Sequence, residues 1–179
     1  MTTISSDVQI YPYGSPINHQ PIEYKIGKGA SGQTLYRGTV AMISGGTTVT
    51  QGYLKDPATP ASTDIVVGIL RGYGPSCGLA DTVPGMGGSV LNTADGVLTA
   101  DVTPGTYLLL AGTGSDALSI TNTQASVYLI DGVTVGATSN GSTRPVAGLL
   151  VQVPSVDASI PTGFVAVQLG TANTPWGGV

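Results

Sequence analysis

The chain has 179 residues, only 9% of them charged, with six basic and ten acidic residues, one His, one Cys and 27 Gly. Ordinary soluble domains carry about 25% charged residues. The net charge of −4 and a pI near 4.5 exclude the basic stripe of a nucleic-acid or phosphate binder, and a single Cys with a single His excludes an intrachain disulfide and a closed zinc site.

Hydrophobic residues make up 41% of the chain, enough for the core of one domain carrying an arm. Helix surfaces draw on Lys, Glu and Arg, and this chain has one Glu, Glu23. An all-β fold is expected, a compact β-barrel-like or β-sandwich domain with an extended N-terminal arm. No stretch approaches 18 apolar residues, so no membrane-spanning helix is expected. Met1–Gln9 lacks a basic region followed by an apolar one and does not read as a secretory signal.

Residues 1–21 form the arm. Pro12, Pro16 and Pro21 block helix and central strand alike. Ile10, Tyr11, Tyr13 and Ile17 are too apolar for a solvated tail and are expected to lie on a surface, the chain's own or a partner's. The β domain spans 22–170. Ile22, Tyr24 and Ile26 alternate onto one strand face, and Gly27–Gly32 is a turn. Gln33–Ile43 reads as a longer strand, Gly45-Gly46 as a hairpin and Thr47–Thr50 as the strand that pairs back. Asp56–Thr63 is a loop and Asp64–Leu70 a short apolar strand. Gly- and Pro-rich sequence over 71–88 predicts a long loop. Weaker strands follow at Val97–Val102 and Thr106–Ala111, and stronger ones at Gln124–Ile130, Val133–Ala137, Pro145–Val153 and Gly163–Leu169. The tail, 171–179, carries the single tryptophan, Trp176.

Two stretches share one grammar of strand, Gly hairpin, Thr/Val strand, loop, and strand with one internal Gly. The first runs from Val40 through Ile65–Leu70, the second from Val127 through Pro145–Leu150. In a repeat of this kind Gly68 and Gly148 mark places where a strand bends or another backbone comes close.

The motifs with chemical potential lack their context. Gly27–Gly32 fits G-x-G-x-x-G, but a strand pattern follows where a dinucleotide site needs a helix N-terminus. Gly74–Gly78 fits G-x-S-x-G around Ser76, but Pro84 and the glycines after it spoil the helix a nucleophile elbow requires. His19 sits in the Pro-flanked arm, so a Ser76–His19 or Cys77–His19 pairing is disfavoured. The Asp residues are scattered, with no calcium-loop spacing. Asn140-Gly141-Ser142, Asp95-Gly96 and Asp131-Gly132 read as turns. No catalytic, cofactor or metal residues are assigned, and the chain is not expected to be an enzyme. An attachment role follows: residues 7–26 are expected to order on a partner, by adding backbone to a sheet edge or lying in a groove, with Ile10, Tyr11, Tyr13, Ile17 and Trp176 as candidate partner-binding anchors. A carbohydrate-binding or host-adhesion module is the alternative, favoured by any exposed cluster of Tyr and Trp, and a hydrolase using Ser76 comes after it.

Gly38–Ile43 followed by Ile65–Ile69, and Ala125–Thr134 leading to Arg144–Leu150 and Phe164–Gly170, resemble the capsid decoration, or cement, proteins of tailed bacteriophages. The similarity covers roughly 33–70 and 124–170 and rests on strand grammar. It implies a β-barrel-like domain on the outer face of an assembled head, as trimers or sometimes dimers, made in the host cytoplasm. Such a protein bridges neighbouring major capsid subunits, without cofactor, catalysis, nucleic acid or membrane.

Overall fold

The computed structural model describes residues 9, 11–14, 22–27, 35–45, 52–73, 96 and 99–169. Among them lie ten strands: β1 Ile22–Lys25, β2 Val40–Ile43, β3 Leu54–Lys55, β4 Ile65–Tyr73, β5 Thr99–Thr103, β6 Gly105–Ala111, β7 Ser126–Leu129, β8 Thr134–Gly136, β9 Val146–Gln152 and β10 Phe164–Leu169. The helical content among the described residues is two one-turn 3-10 helices, Gly114–Asp116 and Ile120–Asn122. The fold is all-β.

The strands form two five-stranded units. β1–β5 make a curled sheet in the order β1-β5-β4-β2-β3, and β6–β10 close into a barrel in the order β10-β6-β8-β7-β9. A parallel bridge from Ile26 to Leu54 carries the end of β1 back to β3 and gives the first sheet its curl. The barrel closes at the matching place, where Ala111 of β6 pairs in parallel with Val135 of β8.

The two units match in register. Ala41 faces Gly68, and Val127 faces Gly148, each just before a bulge that shifts the pairing by one residue. Ile22 and Tyr24 face Val102 and Ala100, while Tyr107 and Leu109 face Val167 and Val165. Ile43 faces Leu54, and Leu129 faces Val135. The repeated grammar of the sequence is therefore one five-stranded topology used twice. The conserved geometry lies in which positions point inward, since a strand alternates its side chains and a one-residue slip would expose them all.

Gly68 and Gly148 occupy the same crowded spot in the two units. A Cβ on Gly148 would lie 2.0 Å from the Gln168 carbonyl oxygen, and one on Gly68 would lie 2.5 Å from that of Thr103. Gly68 also has φ +150°, a backbone conformation that favours glycine.

Two apolar clusters result. One is enclosed by the curled sheet and includes Ile26, Leu35, Ala41, Leu54, Val67, Leu70, Ala100 and Val102. The other fills the barrel and extends to Val40, Met42, Val66 and Ile69 on the opposite face of β2 and β4. These two strands are buried on both faces, which explains why Val40–Ile43 and Ile65–Leu70 are unbroken apolar runs and do not alternate. Each fully buried Val or Leu contributes about 1.5–3 kcal/mol, so the shared cluster ties the units together. A backbone bond from Val40 N–H to the Gly132 carbonyl, 2.7 Å, adds to the junction.

Some elements differ from the sequence expectations. β2 begins at Val40, because Tyr36–Thr39 folds into a turn in place of the first half of the strand expected over Gln33–Ile43. Gly38 takes φ +83°, and the Thr39 hydroxyl donates to the Tyr36 carbonyl at 2.7 Å. The described partner of β2 is Leu54–Lys55. Thr47–Thr50, residues 28–32, the loop beyond Tyr73 up to 88, and the tail 171–179 lie outside the described residues.

Candidate functional site

Among the described residues, three carboxylates hold loops. Asp64, 6% exposed, accepts from Lys55 Nζ at 2.8 Å and from the Ala61 amide at 2.7 Å, fixing the β3–β4 loop. Asp131, 2% exposed, takes the amides of Val133 and Thr134 on one oxygen, at 3.0 and 2.9 Å. That bond pair shapes the β7–β8 turn, as Asp-Gly in a hairpin does. Asp116 Oδ1 receives Arg144 Nη1 at 2.7 Å and the Thr138 hydroxyl at 2.6 Å. These bonds, the one from Arg144 foremost, hold the Asp116 carboxyl below the usual carboxylate range. Among the described residues no three His, Cys, Asp or Glu gather in a way that could hold a metal ion. His19, Ser76 and Cys77 lie outside the described residues.

Of the candidate anchors, Tyr11 and Tyr13 are described; Ile10, Ile17 and Trp176 are outside the described residues. Tyr11-Pro12-Tyr13 runs antiparallel along the first half of β6, with Pro12 bridged to Tyr107. Leu108 N–H donates to the Tyr11 carbonyl at 3.0 Å, and Tyr13 N–H donates to that of Thr106 at 2.9 Å. Pro12 fits here because a residue on an edge strand can spare its N–H. The Tyr13 hydroxyl donates to Asp157 Oδ2 at 2.6 Å, clasping the arm to the β9–β10 loop. That bond raises the Tyr13 phenol above its ordinary range and lowers the Asp157 carboxyl below its own. So the described part of the arm adds backbone to a sheet edge, and the edge belongs to its own barrel.

The arm lies beside a surface that the sequence reading did not name. The five barrel strands contain no Asp, Glu, Lys or Arg. Tyr107, Leu109, Val165 and Val167 point into the core, so alternation turns Leu108, Leu110 and Phe164 to the outer wall. Leu110 is 37% exposed and sits directly across from Phe164. Tyr11, next to Leu108, is 53% exposed. Tyr11 and Leu110 are thus exposed and Leu108 and Phe164 half-buried on a wall whose strands carry no charge. The sequence held a signal for it: strands β6, β7, β9 and β10 lack a charge even at the alternate positions where half-buried strands place one.

Comparison with protein-family models, with curated proteins and with solved structures finds no match to this chain.

Proposed function

We propose that the chain is a structural virion protein that decorates the outer face of an assembled phage head and bridges neighbouring major capsid subunits. The observation that carries this reading is the charge-free outer wall of the barrel, with Tyr11, Leu108, Leu110 and Phe164 in adjoining rows. A wall of this composition gains by covering, since each Å² of apolar surface removed from water is worth about 25 cal/mol. Repeated copies on a symmetric shell multiply weak contacts into firm attachment. The arm contributes through the same wall, its Tyr11 standing next to Leu108. On this reading the chain performs no reaction, and its ion pairs serve to hold loops.

The test is co-sedimentation of the full chain with assembled heads and, separately, with free major capsid subunits. Saturable binding to heads and none to free subunits is the expected result. Absence of binding to heads would overturn the proposal.

A further inference from the structure

We infer that the groove between the β3–β4 loop and the β8–β9 loop is a binding site for a neutral saccharide. The two loops are equivalents in the two units, so the groove lies at their junction. It has a volume of about 420 Å³ and is lined by Thr59, Pro60, Ile130, Asn140, Thr143 and Arg144. A volume of that order accommodates a mono- or disaccharide.

Arg144 gives the groove its directional chemistry. Both protons of Nη1 are taken, one by Asp116 Oδ1 at 2.7 Å and one by the Thr138 carbonyl at 3.2 Å. The guanidinium is thereby fixed in place, while its Nε–Nη2 edge bonds to no described residue. That edge is a two-donor fork able to grip two oxygens at once. Its support is built into the fold. A Cβ on Gly112 would lie 2.7 Å from the Asp116 Cβ, and one on Gly136 would lie 2.8 Å from it. Two glycines thus make the seat for the carboxylate that aims the arginine.

The rest of the lining selects the ligand. Thr59, Asn140 and Thr143 are exposed; Thr59 brings a hydroxyl and Asn140 an amide, while the Thr143 hydroxyl, which donates to the Asn140 carbonyl at 2.8 Å, offers its oxygen as an acceptor. Pro60 and Ile130 bring small aliphatic faces. Charge is already balanced: Arg144 is matched by Asp116, and Lys55, which donates to the Thr59 carbonyl, is matched by Asp64. A carboxylate ligand on the fork would face Asp116 with no further cation among the lining residues. A neutral ring with hydroxyls on its rim and C–H groups on its faces meets both kinds of lining without that conflict. An extended peptide is disfavoured, because loops line the groove and offer no strand edge for a backbone ladder.

The test is a titration of the isotopically labelled full chain, followed by NMR, with maltose, lactose and cellobiose as neutral probes and galacturonate and triglycine as controls. At least one neutral disaccharide should shift the Thr59, Asn140 and Thr143 amides and the Arg144 Nε–H saturably, with a Kd of about 1–5 mM. Arg144→Lys keeps the charge for Asp116 but removes the fork, and should weaken binding about tenfold. Asn140→Gly suits the left-handed backbone there, φ +47°, so it should leave the fold intact while weakening binding about threefold. The inference is overturned by no saturable shift up to about 50 mM, roughly ten times the expected Kd. Tighter binding of galacturonate or triglycine, or affinity unchanged in both variants, would overturn it equally. Attachment to heads is read separately, so either result leaves the decoration proposal standing or falling on its own assay.

Discussion

Gly148 has room for a hydrogen and for little else. The Gln168 carbonyl oxygen stands 2.0 Å from where a Cβ would sit, and that oxygen belongs to backbone, which cannot swing away as a side chain could. Gly148→Ala should therefore cost about 3 kcal/mol, at the upper end of overpacking effects, read as a fall in the urea midpoint with an unchanged slope. Gly68→Ala meets the Thr103 oxygen and adds the strain of φ +150°. The sequence marked both glycines as bends or close approaches. It could not say which backbone approaches, because pairing partners some 20 to 35 residues away are set by the closure of the sheet. Asp131 is the other residue whose loss is readable. Asp131→Ala strips the acceptor from two backbone amides in a buried turn and should cost about 2 kcal/mol. Asp131→Asn keeps an oxygen there and should cost much less in the same denaturation.

At the scale of elements, residues 11–14 of the arm lie along the edge of β6 and are clasped by the Tyr13–Asp157 bond. The Asp157 carboxyl is held low, first by the Tyr13 hydrogen bond and then by its bonds with Ser159. A carboxyl depressed in the folded state adds stability that is full above its ordinary pKa and is lost as pH falls through the depressed value. The Tyr13 phenol is raised, by the same bond first. Its contribution is full below the ordinary tyrosine pKa and is lost as pH rises through the raised value. The clasp should hold unchanged across neutral pH and open at both extremes, as the Tyr13 ring resonances will report. Tyr13→Phe should remove this pH response and speed hydrogen exchange at the Tyr13 amide; an unchanged exchange rate would mean that the backbone bonds alone hold the arm. Deleting residues 1–21 should leave the protein folded, since neither buried cluster draws on the arm's described residues. It should weaken attachment to heads at least tenfold, about 1.4 kcal/mol, because Tyr11 and the rest of the arm go together.

Most strands were legible one by one. β4, β6, β7, β8, β9 and β10 fall where apolar and β-branched runs lie between turn residues. The start of β2 was not, because Thr39 folding its hydroxyl back onto Tyr36 overrides the strand propensity of the residues before it. The arm's aromatic residues were legible as surface-seeking. Their seat on β6 was not, since an edge accepts any backbone and leaves no mark in the sequence that binds it.

At the scale of the molecule, one topology is used twice, and the two copies have diverged in role. The first is a curled sheet whose β2–β4 face is buried against the second unit. The second is a closed barrel whose outer wall carries no charge and stays partly open. The repeated grammar was visible in the sequence. The division of labour was not, since it depends on which face of each copy meets the other. Leu110 offers the cleanest probe of the wall. At 37% exposed it can be exchanged for Lys with a stability change of about 0.5 kcal/mol or less, the range usual for surface positions. The most direct measurement is quantitative co-sedimentation of wild type and Leu110→Lys with assembled heads at matched concentrations. Attachment through the barrel wall predicts saturable binding of wild type and binding at least about tenfold weaker for the variant, or 1.4 kcal/mol. Superimposable binding curves would contradict it.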